Sequence, residues 1–262
     1  MKRTSLIAAL VMLTMLFGAV SVDASSISIN SMNAEDGIVT VSYAGVTAKT
    51  KVMVEKDSAR YFYDLKNEED SFPLQLGDGK YTVAVLENIS GTSYRILTQK
   101  SFNADITEDN SVYLNSVQPV LWNEDMKAIK LAASLTEDIE GDSAKAKVIF
   151  DYIVNNISYD YDKISGLSTD YTPDIDAILS EGKGICYDYA VLYAAMLRSQ
   201  GIPAKLVKGY RSDLKAYHAW NEVYLDGGWK VIDTTYSAAL YKARLTAAMF
   251  ENEEQYSKSK EY

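Results

Sequence analysis

The sequence has few of the residues that most often carry chemistry or cross-links. Among 262 residues there is one cysteine, Cys186, and one histidine, His218. A single cysteine excludes an internal disulfide, so the fold must be held by packing alone. One thiol and one imidazole do not compose an ordinary zinc set without several carboxylates, so no metal site is expected. Gly-rich phosphate loops are missing as well. Gly182-Lys183-Gly184 lacks the spacing of a P-loop, and no cofactor is expected. Basic residues are in the minority, with 26 Lys and Arg against 36 Asp and Glu, for a formal charge of −10. That balance argues against a nucleic-acid partner, because counterion release needs clustered Lys and Arg. Acidity otherwise speaks to solubility and says little about substrate.

Long apolar runs are confined to the N-terminus. Lys2 and Arg3 precede an apolar stretch from Leu6 to Val20, and Val22-Asp23-Ala24 fits a small-x-small cleavage site before Ser25. Residues 1–24 are expected to be a secretory signal peptide, too short and wrongly flanked for a spanning helix; an uncleaved anchor is the alternative. No cysteine sits at the cleavage site to accept a lipid. No later segment is apolar enough to cross a membrane, so the expectation is a secreted or cell-surface protein of bacterial type without a span after cleavage. Loss of Lys2, Arg3 and Asp23 takes the charge from −10 to −11. In an exported chain the unpaired thiol stands out.

Residues 25–104 read as an antiparallel β-sandwich, immunoglobulin-like in architecture. Ile38 to Tyr43, Lys51 to Glu55, Arg60 to Tyr63, Lys80 to Glu87 and Tyr94 to Phe102 are short strands. Turn signals such as Gly77-Asp78-Gly79 separate them at roughly ten-residue spacing. Nothing in this part looks catalytic. Residues 105–123 read as a linker, and 124–262 as a second, mixed α and β domain. There Met126, Ile129, Leu131, Ala132, Leu135 and Ile139 form a loose helical stripe. Asp142-Ser143 can cap a second helix, and Asp174 to Leu179 a short third one. Glu251 to Tyr262 reads as a frayed tail.

The rare residues cluster. His218 follows Cys186 by 32 residues, and Asp233 follows His218 by 15. Gly182 and Gly184 allow a tight turn just before the cysteine. A helical pattern then runs through Ala190, Tyr193, Ala194 and Leu197 to the stop at Gly201, with Pro203 beyond. Cys186 therefore falls in the first turn of a helix, where free N–H groups and the dipole favour a thiolate. Tyr217 to Leu225 and Gly228 to Thr234 are strands joined by Asp226-Gly227, a favoured type I′ pair. With that loop Leu225 faces Gly228, and Asp233 lies opposite Trp220 and diagonal to His218. With Gly227-Gly228 as the loop, Asp233 lies opposite Glu222. In both registers His218 and Asp233 share a face; the first sets them on a diagonal of roughly 7–8 Å, and the second would need a bulge or twist to bring them together.

The chemistry this allows is nucleophilic. Cys186 would attack a carbonyl as thiolate, His218 would serve as base and then acid, Asp233 would orient the imidazole, and a thioester would form. The bland alternative is a space-filling cysteine and a satisfied core histidine. The Cys186 backbone N–H is one natural oxyanion donor, and Tyr159 and Tyr161 are candidates for another. Tyr187 and Trp220 are the candidate pocket residues. Glu222 is a competing orienter, although it lies some 13 Å along the strand from His218. Asp188 is a first-turn acid that can simply stabilise the helix.

Three blocks in order resemble the transglutaminase-like core of the papain-like superfamily: Gly182-Lys183-Gly184-Ile185-Cys186-Tyr187-Asp188-Tyr189-Ala190, then His218-Ala219-Trp220-Asn221-Glu222-Val223, then Trp229 to Thr235. The resemblance runs from about Lys145 to Tyr236. It implies a papain-like fold, with the cysteine helix packed on an antiparallel sheet carrying the other two residues, and it places the family's nucleophile, histidine and aspartate on Cys186, His218 and Asp233. It further implies a transglutaminase-like acyltransferase acting on protein or peptide carboxamides. A cysteine peptidase or amidase working on cell-wall or extracellular peptide is one alternative, and a non-catalytic adhesion or wall-binding module is another. The calcium dependence of the animal cross-linking enzymes is not implied for this shorter chain.

Overall fold

The computed structural model describes residues 27–46, 49–108 and 110–262. The expected signal peptide at 1–24 lies outside the described residues. The chain divides into two compact units. One takes the described residues up to Ser31 with Thr40–Asp70 and Gly79–Asn103, and the other takes Met32–Val39, Ser71–Asp78 and Ala104–Tyr262.

Seven strands come first: β1 (Ile27–Asn30), β2 (Ile38–Tyr43), β3 (Thr50–Lys56), β4 (Ala59–Asp64), β5 (Glu69–Pro73), β6 (Gly79–Ser90) and β7 (Ser93–Ala104). They form one sheet of order β4-β3-β6-β7 and a second of order β1-β2-β5. The central strand β3 is buried on both faces at Val52, Met53 and Val54, which is why it reads as an apolar run without alternation. Met53 packs with Ala84 and Leu86, backed by Tyr94 and Ile96.

The larger unit is built around one helix. Its elements are α1 (Lys127–Thr136), α2 (Asp142–Asn156), β8 (Ser158–Tyr159), α3 (Ile175–Glu181), β9 (Lys183–Gly184), α4 (Cys186–Arg198), β10 (Ala204–Arg211), β11 (His218–Leu225), β12 (Gly228–Ile232), α5 (Thr234–Lys242) and β13 (Tyr256–Glu261). An antiparallel sheet of order β12-β11-β10-β13 lies on α4, and α1, α2, α3 and α5 pack around it. Every residue of α4 from Tyr189 to Leu197 is at most 1% exposed. A helix apolar on all sides is one that a domain has surrounded.

Its few polar groups are satisfied internally. The Tyr189 hydroxyl donates to the Ile157 carbonyl at 2.7 Å and that of Tyr193 to Ala146 at 3.0 Å. The Arg198 guanidinium donates to the carbonyls of Ala204, Asn115 and Tyr262 at 2.9–3.0 Å. Burial pushes that guanidinium down to about 9. Gly201, at φ 75°, then turns the chain, and the Ile202 N–H closes on the Leu197 carbonyl at 3.1 Å.

The expected hairpin is present: Leu225 pairs with Gly228, and Asp226 and Gly227 both have positive φ, as a type I′ turn requires. One expectation is overturned. The segment read as a frayed tail is β13, paired with the edge of β10 from Val207↔Glu261 to Arg211↔Tyr256. Its Ser and Lys residues carry no alternating apolar signal, because an edge strand of this kind faces solvent along much of its length. Its place is set by the free edge of β10, which no local pattern announces.

Candidate active site

The approach to Cys186 is fixed by backbone pairing. The Ser158 N–H donates to the Gly182 carbonyl at 2.8 Å, and Asp160 donates to Gly184 at 2.9 Å. Gly182, at φ 63°, ends α3. A Cβ on Gly184 would come within 2.6 Å of the Asp188 Cβ, so no other residue fits there without displacement. Ile185 is the N-cap of α4 and Cys186 its first residue, half-buried. The Cys186 N–H is therefore among those without an intrahelical acceptor.

Asp188, wholly buried, organises this helix start. Its carboxylate accepts from the Ile185 N–H at 2.9 Å, from Lys163 Nζ at 2.7 Å and from the Tyr171 hydroxyl. The first contact is one half of a capping box, and Ile185 has no side-chain acceptor for the other half. The first-turn acid is thus a hub linking the cap to the loop 160–173.

His218 begins β11, and its Nε2 lies 2.7 Å from Asp233 Oδ2. Asp233, wholly buried, follows β12 and caps α5, its Oδ1 accepting from the Tyr236 N–H at 3.0 Å. The ladder Asn221↔Ile232 puts Asp233 next in line opposite Trp220, on the side of His218. With Nε2 taken by the carboxylate, Nδ1 is the ring nitrogen left for Cys186, whose influence reaches the imidazole. Burial alone would push this imidazole down. The hydrogen bonds and charges of Asp233 and Cys186 outweigh it and hold His218 at about 10. At neutral pH the ring is protonated.

Behind the imidazole stands a layer of side chains from three strands. The Tyr256 hydroxyl donates to Asp233 Oδ2 at 3.1 Å and accepts from Arg211 Nε at 3.0 Å. Burial, and then the Asp233 charge, keep the Tyr256 phenol protonated and so a donor. Trp220 stacks on His218 with centroids 6.4 Å apart and tilts against Tyr256 at 5.0 Å. Asn221 ties the two halves together: its Nδ2 donates to the Ala190 carbonyl in α4 at 2.9 Å and to Lys205 in β10 at 3.0 Å.

The sequence candidates divide accordingly. Cys186, His218 and Asp233 come together. Tyr159 is held by the Ser158-Tyr159 pairing with Lys183-Gly184, and burial, followed by the charge of Cys186, pushes its phenol up to about 12. Tyr161 is 78% exposed and only leans on the ring of Tyr159. Trp220, expected in the pocket, is 1% exposed; it is packed behind the histidine, where a bulky ring fixes the imidazole plane. Glu222, the competing orienter, is engaged by Lys258 at 2.8 Å. Tyr256 and Arg211 were not foreseen, since Tyr256 sits in the segment read as a tail. Among the described residues no helix is long and apolar enough to cross a membrane.

Comparison with known proteins places this arrangement. Residues 129–234 match the family model of the Transglutaminase-like superfamily. Mouse kyphoscoliosis peptidase is 28% identical over 121 residues, 42% of this chain and 18% of that protein. UPF0252 protein MJ1282 of Methanocaldococcus jannaschii is 29% identical over 167 residues, 58% of this chain and 46% of that protein. The chain thus spans less than half the length of these relatives. A solved structure described as a cysteine protease from Cytophaga hutchinsonii is 20% identical, with TM-score 0.43 over 86% of each chain. The part of this chain that is similar to the Transglutaminase-like superfamily, residues 129 to 234, is the part that carries Cys186, His218 and Asp233.

Proposed function

We propose that the protein is an exported thiol enzyme that attacks a carboxamide or peptide carbonyl and transfers the acyl group through a thioester. The observation that carries this reading is the 2.7 Å contact of His218 Nε2 with a buried Asp233, which leaves the other ring nitrogen for Cys186. The protonated imidazole pairs with a thiolate. Cys186 Sγ adds to the carbonyl carbon, the C–N bond breaks, and His218 returns a proton to the leaving amine. Water or an amine then resolves the thioester, with the imidazole as base. Asp233 keeps the ring in place and supports its charge. The Cys186 N–H is one donor to the oxyanion, and the protonated Tyr159 hydroxyl, which feels the charge of Cys186, is the other.

A hydrolytic outcome, as a peptidase or amidase on extracellular or cell-wall peptide, is the second reading. It is favoured by the peptidase among the relatives. The signal-like N-terminus supports export, and the substrate is a protein or peptide.

Two experiments separate the readings. An alkylating agent should label Cys186 faster than a free thiol at neutral pH, and Cys186→Ala should abolish labelling. Labelling no faster than a free thiol leaves only a non-catalytic surface module. A glutamine peptide with a labelled amine should then yield the amine adduct; release by water alone would defeat the transferase reading in favour of the hydrolase.

A further inference from the structure

A second cation, packed on the residue that follows Cys186, takes no part in the steps above. In β10, Gly209 pairs with His218 and Lys208 with Ala219, so Lys208 is one register step from the histidine and its side chain leaves the other face of the sheet, toward α4. Its ammonium lies 3.5 Å from the ring centroid of Tyr187, the residue that follows Cys186 in α4, and 5.4 Å from that of Tyr262. It is thus held where the strand next to the histidine meets the helix of the cysteine. Two other lysines of this sheet, Lys205 and Lys258, have carboxylate partners. Lys205 has Glu261 and Glu222, and Lys258 has the same two. Among the described residues Lys208 has none, and its neighbours are aromatic faces. Burial pushes its ammonium down to about 8, while Cys186 acts to raise it and Lys260 to lower it. Aromatic faces compensate a desolvated cation in part, whereas a carboxylate does so more fully.

We propose that Lys208 makes the site selective for acyl donors that carry a carboxylate beside the attacked carbonyl, with the carboxylate pairing to Nζ while Cys186 Sγ reaches the carbonyl carbon. This names the substrate class of the site described under the proposed function and stands on that reading. Lys208 would be a specificity residue, and Tyr187 the surface that holds its stem in place.

The full chain has one thiol, so alkylation reports on Cys186 alone. Rate constants would be measured with neutral iodoacetamide and anionic iodoacetate for the wild type, Lys208→Met and Lys208→Arg. Their ratio cancels the thiolate fraction, because both reagents consume the same thiolate. The iodoacetate-to-iodoacetamide ratio should fall about five-fold in Lys208→Met, and the difference should shrink at high salt. Lys208→Arg should keep the wild-type ratio. An unchanged ratio in Lys208→Met overturns the proposal. Should that variant not fold, Lys208→Gln gives the same measurement. Failure of the underlying thiol-enzyme reading shows separately, as slow iodoacetamide labelling that His218→Ala does not reduce further.

Discussion

Asp188 and Asp233 are both shielded from solvent and both at the start of a helix. Asp188 faces Lys163, a tyrosine hydroxyl and a backbone N–H. Asp233 faces an imidazole, a tyrosine hydroxyl and a backbone N–H. The donor sets match except for one member, and that member decides the role. The cationic partner of Asp188, Lys163, stands outside the Cys186–His218–Asp233 set, so Asp188 is scaffolding. An imidazole can give its proton up, so Asp233 sits behind a group that can change charge during a reaction. A buried carboxylate near a thiol is therefore no evidence of chemistry until its cationic partner is known.

Four measurements separate the roles of the two aspartates. The largest effect is expected from Asp233→Asn. It should lower turnover by about 10⁴-fold, as loss of an orienting carboxylate does in serine enzymes, and bring Cys186 alkylation down toward the rate of a free thiol. A comparable loss of activity from Asp188→Asn, with the fold intact by circular dichroism, would show that the two aspartates are not distinct.

Next is stability. Asp188→Ala strands Lys163, the Tyr171 hydroxyl and the Ile185 N–H, and should cost about 3–5 kcal/mol in urea unfolding. The midpoint should drop with the slope unchanged.

Third is pH. The folded His218 value of about 10 lies above its ordinary 6.5. The stabilisation from its charged form is therefore complete below pH 6.5 and is lost as pH rises through 10. Urea midpoints from pH 6 to pH 10 should decline in the wild type and decline less in Asp233→Asn. Equal slopes in the two would remove the His218–Asp233 pair as the cause.

The smallest effect belongs to Tyr256→Phe, which deletes one hydrogen bond to Asp233. It should cost about 1 kcal/mol and slow alkylation several-fold. A loss as large as that of Asp233→Asn would make the tyrosine, not the carboxylate, the principal support of the ring.

Much of this site was legible in the chain because its signals are local. A type I′ pair at Asp226-Gly227 fixes the hairpin register, and register parity fixes the shared face of His218 and Asp233. Glycines before Cys186 and Gly201 after Arg198 mark the ends of α4. Asp174 caps α3 with its side chain, whereas α2 starts at Asp142 behind Gly141 with no side-chain cap, so the Asp142-Ser143 cap expected from the sequence does not form. What escaped was non-local. The tail 251–262 has the composition of a solvated segment, yet 256–261 completes the sheet and delivers Tyr256 to Asp233. Trp220 looked like a pocket wall because a sequence does not tell which side of a ring faces water. Lys208 sits in an ordinary strand pattern, and its closeness to Tyr187 depends on how α4 crosses β10.

Turn residues, caps and strand parity act over a few residues, and they are enough to set one thiol, one imidazole and one carboxylate at a helix start and along a hairpin. Which groups support the three depends on long-range packing. Asn221 clamps α4 to the sheet, Asp188 collects the loop 160–173, and Tyr256 and Arg211 stand behind Asp233. Those contacts join residues up to about 45 positions apart, and they form only when a buried polar group must find a partner inside the packed core.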